Sequence, residues 1–222
     1  MRKIIAISLM LVVLSAAAAF AFNPDELNKI TIQNTTGTKI EMIFLSPGDS
    51  DYWGPDIIGA DYVLKDGGSI GYYLHYPEKS FKFDIMATDD NGNKFEQRDI
   101  VVTDGKELTL KITKKNLNAT APDFTLATVH FENATGHELQ YLFVSPNDSK
   151  AWGVDLLDES TTLADGDTHS IVIPIGKNKT KYNLMAVDEN NDEYSFNLTL
   201  DPAKASKDFT WSIEASDLST GK

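Results

Sequence analysis

The chain has 222 residues, 33 acidic and 20 basic, for a formal charge of −13, with 14 glycines, 8 prolines and no cysteine. The missing cysteine excludes a disulfide framework, a thiolate metal site and a cysteine nucleophile. The acidic balance excludes the lysine- and arginine-rich surface that nucleic-acid binding needs.

Taken in chain order, the first signal is a leader. Arg2 and Lys3 precede an apolar run over residues 4–14, small residues over 15–19, and Ala19-Phe20-Ala21. These are the three parts of a secretory signal peptide, with cleavage expected before Phe22. The run is too short and too rich in alanine for a membrane anchor. Removing residues 1–21 takes away Arg2 and Lys3, so the charge of the remaining chain moves from −13 to −15. The expectation is a periplasmic or secreted protein with no stable membrane span in the mature chain.

The rest is one unit written twice. Asn34-Thr35-Thr36-Gly37 recurs as Asn133-Ala134-Thr135-Gly136, and Ser46-Pro47-Gly48-Asp49-Ser50 as Ser145-Pro146-Asn147-Asp148-Ser149. Trp53-Gly54-Pro55-Asp56 recurs as Trp152-Gly153-Val154-Asp155, and Asp66-Gly67 as Asp165-Gly166. Every pair is offset by 99, and the register holds from Asn34 to Phe95, which matches Tyr194. Leu108, Leu110 and Ile112 match Phe209, Trp211 and Ile213 at an offset of 101. Two residues were therefore inserted at the turn Asp201-Pro202-Ala203-Lys204, where a surface loop absorbs them. The division is repeat 1 over 22–114, a polar linker over 115–124 and repeat 2 over 125–222.

Strands are expected to start near Leu27, Lys39, Tyr62, Ser69, Phe81, Lys94 and Glu107. Apolar residues alternate with polar ones, as in Phe81, Phe83, Ile85 and Ala87, which places them on one sheet face. Turn signals such as Thr36-Gly37, Asp66-Gly67 and Asn91-Gly92 break the pattern at short intervals. About seven strands per unit, without a long helical period, predict an all-β chain of two tandem immunoglobulin-like, Greek-key antiparallel sandwiches. Strand parity puts the turns at Thr36-Gly37, Asp66-Gly67 and residues 89–93 at one end of the unit. The long loop over residues 47–61 falls at the other end.

Two places carry candidate sites. The long loop has Ser-Pro-x-Asp-Ser-x-x-Trp-Gly-x-Asp in both units. Its serines and aspartates are suited to stiffening an irregular loop through its own backbone. They also allow a binding loop: Trp53 and Trp152 would stack on a sugar ring, with Asp49, Asp56, Asp148 and Asp155 bonding its hydroxyls. Ala151 stands where unit 1 has Tyr52, so the two platforms differ. The second place is the hairpin turn. Asp89, Asn91 and Asn93, with Asp188, Asn190 and Asp192, put oxygen-bearing side chains at positions one, three and five, the start of a calcium loop. Lys94 or Glu193 at position six and Ile100 or Thr199 at position twelve exclude an EF-hand. A weak calcium site and ordinary turn chemistry both remain open.

Catalytic constellations are poor. The histidines His75, His130, His137 and His169 occupy no equivalent positions in the two units. There is no nucleophile elbow, phosphate loop or dinucleotide fingerprint. Met86 and Met185 alternate onto the outward strand face, toward a second sheet or the other unit.

The run Asn34, Thr36, Gly37, then Ser46 to Asp56 with Ile57 and Ile58, then Leu64, Asp66 and Gly67, resembles a bacterial family of small secreted modules, often in tandem. The resemblance covers nearly the whole chain after the leader. It implies an exported module and supplies no catalytic residues. The expected function is a non-enzymatic binding or structural protein of the bacterial envelope or exterior, with a protein or glycan partner. A weak calcium-binding module and a carbohydrate-binding module are the alternatives.

Overall fold

The structure is a computed structural model that describes residues 22–59, 62–76, 78–121, 124–175, 180–203 and 208–219. The leader-like segment lies outside the described residues. Unit 1 contains β1 (Asn28–Thr35), β2 (Ile40–Pro47), β3 (Ser69–His75), β4 (Ser80–Asp89), β5 (Lys94–Thr103) and β6 (Leu108–Thr113). Unit 2 contains β7 (Thr125–Ala134), β8 (Leu139–Pro146), β9 (Gly153–Val154), β10 (Thr168–Ile175), β11 (Thr180–Asp188), β12 (Glu193–Leu200) and β13 (Asp208–Glu214). The chain is all-β, and each unit is an immunoglobulin-like sandwich of two sheets. In unit 1 these are β6-β1-β3 and β2-β4-β5; in unit 2, β13-β7-β10 and β8-β11-β12.

Period-two patterning builds these strands. Along β1, Ile30, Ile32 and Asn34 are buried while Lys29, Thr31 and Gln33 are half-buried. The pairing is not antiparallel throughout, because β1 runs parallel to β6 and β7 parallel to β13. Ile30 faces Leu108 as Val129 faces Phe209, so the two-residue insertion leaves the pairing intact. The strand expected at Tyr62 is absent from the described residues. Only Leu64 pairs there, as an isolated bridge to Ile40. The chain also stays on unit 1 beyond residue 114. Lys114–Asn116 forms a short 3-10 turn, Leu117 bridges Phe95, and Asn118 N–H donates to the Lys94 carbonyl at 2.8 Å.

The Asn-x-Thr-Gly motif closes the end of each sandwich far from the long loop. The amide of Asn34 donates to the carbonyls of Thr38 (2.8 Å) and Leu64 (2.9 Å). Its oxygen accepts from Thr36 N–H and the Thr36 hydroxyl. All four hydrogen-bonding positions of a buried asparagine are thus filled, as such a group requires. Gly37 N–H donates to Asp66 Oδ1 at 2.8 Å, and Thr38 Oγ1 to Asp89 Oδ2 at 3.1 Å. The three turns therefore meet at one end, as expected, with the single Leu64 bridge standing in for the strand that the parity count used. Asn133, Thr135, Gly136 and Asp165 repeat the Asn34, Thr36, Gly37 and Asp66 contacts.

At the other end the units join. Their buried apolar side chains form one continuous cluster. The contact is a pseudo-twofold: each long loop lies against the neighbouring sandwich. Asp155 N–H donates to the Tyr73 carbonyl at 2.9 Å, and Asp56 N–H to the Val172 carbonyl at 2.7 Å. Tyr73 and Val172 are equivalent residues of β3 and β10. Asp49 accepts from Ser149 Oγ (2.7 Å) and Lys150 N–H (3.2 Å). Asp148 accepts from Ser50 Oγ (2.7 Å) and Asp51 N–H (3.0 Å). The same patch faces itself, as in an isologous dimer interface. Each loop also covers an open sheet edge of the other unit, which otherwise invites aggregation.

Aromatic side chains extend the exchange. Phe22, just before unit 1, packs on Phe143 of unit 2, and Phe124, just before unit 2, packs on the equivalent Phe44 of unit 1. Met185 is buried beside Phe22 and Phe143, so the outward methionine of unit 2 serves the contact between units. The Tyr182 hydroxyl lies 2.9 Å from the Pro174 carbonyl and 3.1 Å from the Trp53 carbonyl across the interface.

A Tyr182→Phe variant is expected to keep the fold, since Phe83 holds this position in unit 1. It should lose about 1 kcal/mol in chemical denaturation, the net worth of one hydrogen bond. Repeat 2 with the last linker residue, 124–222, should pair with itself through Asp148 and Ser149 and read as a dimer by light scattering. Asp148→Lys should return it to monomer. A monomeric wild-type repeat at tens of micromolar would contradict the self-complementary reading.

Candidate functional site

The motif Trp-Gly-x-Asp is built around a buried carboxyl. Asp56 Oδ1 accepts from Ile43 N–H at 2.9 Å and Ile58 N–H at 3.3 Å. Asp155 Oδ1 accepts from Leu142 N–H at 3.0 Å and Leu157 N–H at 3.2 Å. In both residues Oδ2 is buried and has no hydrogen-bond partner. Burial therefore pushes each carboxyl up to about 7, against the opposing pull of the two backbone donors. A protonated Oδ2 removes the charge that this setting cannot solvate.

Glycine precedes these aspartates for two different reasons. At Gly54 a Cβ would fall 2.3 Å from the Leu45 carbonyl oxygen. Gly153 has open space but a φ of 83°, where only glycine is at ease. Gly153 pairs with His75 at the edge of β3. The mirrored edge carries Pro174 instead, which has no N–H to donate. Among the described residues the two-residue β9 accordingly has no counterpart strand in unit 1.

Among the described residues the interface is flanked by several recesses, two of which hold residues of the Trp-Gly-x-Asp motif. One, of about 210 Å³, is lined by Asp56, Tyr62 and Tyr72 of unit 1 and Asp158, His169 and Ile171 of unit 2, among others. His169 is held below its ordinary value by burial. The Tyr72 hydroxyl is committed to the Ile57 carbonyl at 2.6 Å. The other is a shallow groove of about 110 Å³ formed by Asp51, Tyr52, Trp53, Phe124, Pro174 and Ile175. Its Trp53 ring meets Phe124 edge-on at 6.3 Å and lies under the Arg98 guanidinium, 5.3 Å from the ring centroid. Tyr52 is 40% exposed.

The residues expected in a binding loop are thus distributed. Asp49 and Asp148 bond the opposite loop, and Asp56 and Asp155 are buried. Trp152 is half-buried against the cluster of Phe22, Phe143, Met185 and Val187. The four carboxylates do not converge on an open surface. Trp53 and its neighbour Tyr52 remain at a groove. The sequence reading missed Phe22, Phe124 and Tyr182, whose partners lie in the other unit.

The hairpin turns hold themselves. Asp89 Oδ1 accepts from Asn91 N–H (2.9 Å) and Asn93 N–H (2.8 Å), and Oδ2 from the Asn93 amide (2.9 Å) and Thr38 (3.1 Å). Burial is the largest single influence on Asp89 and pushes it up, but these bonds together outweigh burial and hold it below its ordinary value. Asp188 likewise accepts from Asn190 N–H, Asp192 N–H and the Tyr194 hydroxyl. Calcium at Asp89, Asn91 and Asn93, or at Asp188, Asn190 and Asp192, must compete with these donors. Beside the second turn, His137 pairs with Glu189 at 3.1 Å, and this hydrogen bond raises the exposed imidazole. His137, Asp188 and Glu189 bring one ligand atom each within 4.8 Å of one another. Both Asp188 oxygens, however, are engaged by the turn. Among the described residues no helix is long and apolar enough to cross a membrane.

No protein-family model and no curated protein matches the chain. Among solved structures, a protein from Eubacterium rectale is 21% identical over 40% of this chain and 78% of its own, with a TM-score of 0.31. A family 26 carbohydrate-binding module from Eubacterium rectale, solved with maltoheptaose, is 15% identical over 85% and 91%, with a TM-score of 0.25. Fibronectin(III)-like modules from Clostridium thermocellum are 7% identical over 86% and 94%, with a TM-score of 0.19. At these scores the likenesses carry no argument about function.

The raised carboxyls give a pH dependence. Asp56 and Asp155 stabilise the fold fully below their ordinary value of 3.8, and that contribution is lost as pH rises through about 7. The buried imidazoles His75 and His169, both lowered by burial, act oppositely and only on acidification. The melting temperature should therefore fall between pH 6.5 and 8.5. The Asp56→Asn/Asp155→Asn double variant should lose most of that fall, keeping only a small one of the same sign from the exposed His137, which Glu189 raises. A wild-type profile that is flat or rising would sink the assignment.

Proposed function

We propose that this chain is an exported, non-catalytic binding protein in which two sandwiches act as one body, with the Tyr52–Trp53 groove as its ligand-facing surface. The observation that carries this reading is the exposed Tyr52 ring beside Trp53, Phe124 and Asp51 in an otherwise apolar recess. Aromatic walls with one nearby carboxylate suit the apolar face and hydroxyl edge of a sugar ring. The ligand class is therefore a soluble or surface-bound glycan. Most of the other acids in the two motifs hold turns and loops, which supports a binding role over acid–base chemistry. The leader-like residues 1–21 and the acidic, cysteine-free composition support export to the periplasm or exterior. The repeated motif supports membership of a secreted tandem-module family.

The test is a titration of the protein with a panel of neutral and acidic oligosaccharides, followed by tryptophan fluorescence. At least one glycan should quench or shift the emission. Tyr52→Ala should weaken that response roughly three- to tenfold, the value of one aromatic contact. A panel without any response, or a response unchanged in Tyr52→Ala, would remove the groove from the binding role.

A further inference from the structure

Phe22 is the first described residue, and it is buried with 7% of its surface exposed. Its ring lies 5.0 Å from Tyr141, 5.7 Å from His75 in a near-parallel stack, and 6.0 Å from Phe143. Met185 and Val187 complete the cluster, with Trp152 and Leu27 at its edge. The backbone nitrogen of Phe22 donates to Glu193 Oε1 at 2.6 Å, across 171 residues of sequence. Asn23 then caps the short turn Pro24–Glu26, which leads into β1 of the other unit. From its contact on unit 2 at Phe22, the chain crosses to build unit 1.

The two copies differ at this point in an instructive way. Phe124 makes the equivalent contact on unit 1, but its nitrogen is a mid-chain amide in any form of the protein. The residue equivalent to Glu193 there is Lys94. A carboxylate stands only at the copy that faces the end of the leader-like segment, where hydrolysis would create a positive charge. A neutral amide N–H has no need of a carboxylate partner; an α-ammonium in a half-buried aromatic setting does.

We propose that hydrolysis of the Ala21–Phe22 peptide bond is a structural maturation step, which docks a new α-ammonium on Glu193 and locks the two sandwiches together. An export endopeptidase adds water across the bond. The C–N bond breaks and a C–O bond forms at the Ala21 carbonyl carbon. Ala21 leaves as the carboxylate, and Phe22 keeps the nitrogen as ammonium. The ammonium then offers three donors and a full charge where the precursor offers one amide hydrogen. The Phe22 ring sits against both units through His75 and Phe143, so the ion pair also fixes their contact. This inference rests on the export reading and is independent of the glycan one.

The test begins with the full-length chain expressed in a bacterial host and recovered from the exported fraction. Intact mass should place the terminus at Phe22. This form should melt about 3–6 °C above a cytoplasmically produced chain in which methionine precedes Phe22, given the scale of ~2–4 °C per kcal/mol for chains of this length. Glu193→Gln should bring the Phe22-terminated form down to the extended form and leave the extended form unchanged. A terminus elsewhere, equal melting of the two forms, or an equal loss in both on Glu193→Gln would each overturn the proposal.

Discussion

One aspartate in each unit joins the two levels of the structure. The side chain of Asp56 binds its own sandwich through Ile43 and Ile58, while its backbone N–H reaches Val172 in the other. Asp155 does the same toward Tyr73. The loop that carries it cannot leave one unit without letting go of the other. A buried carboxyl with an unpartnered oxygen is costly. In both copies it accepts from two backbone N–H groups of its own sandwich, which offsets part of that cost.

That arrangement turns tandem repeats into an internal dimer. Beads on a string would leave the outer edges of β3 and β10 open. Here each edge takes backbone from the neighbouring loop, and Asp49 and Asp148 close the contact reciprocally. A self-complementary patch needs only one sequence solution, used twice. In a chain without disulfides, one continuous core across both units also buries more apolar surface than two separate ones. The groove at Tyr52 is small and lies where the symmetry fails.

The departures from symmetry are the informative positions. Tyr52 faces a groove where the other copy has Ala151. Glu193 accepts from the Phe22 backbone nitrogen where the other copy has Lys94. Gly54 and Gly153 look identical in sequence, yet one makes room for a carbonyl and the other adopts a left-handed backbone. Pro174 removes a donor that His75 retains. A repeat keeps what the fold needs twice and varies what is needed once.

The sequence by itself determined the all-β class, the two units, the offset of 99 and the meeting of the three polar turns. These follow from period-two alternation and turn chemistry, which act over a few residues. It also marked Trp-Gly-x-Asp as special, without saying toward what. The strand expected at Tyr62 reduced to a single bridge at Leu64, because short-range pattern cannot say whether an edge is available for pairing. Only the tertiary structure decided that the loops exchange between units, that Phe22 and Phe124 cross over, and that the motif's carboxylates point inward. The contacts between units join residues far apart in sequence, such as Phe44 with Phe124 and Phe22 with Glu193, and their geometry arises when two equivalent edges meet, a condition no local pattern encodes.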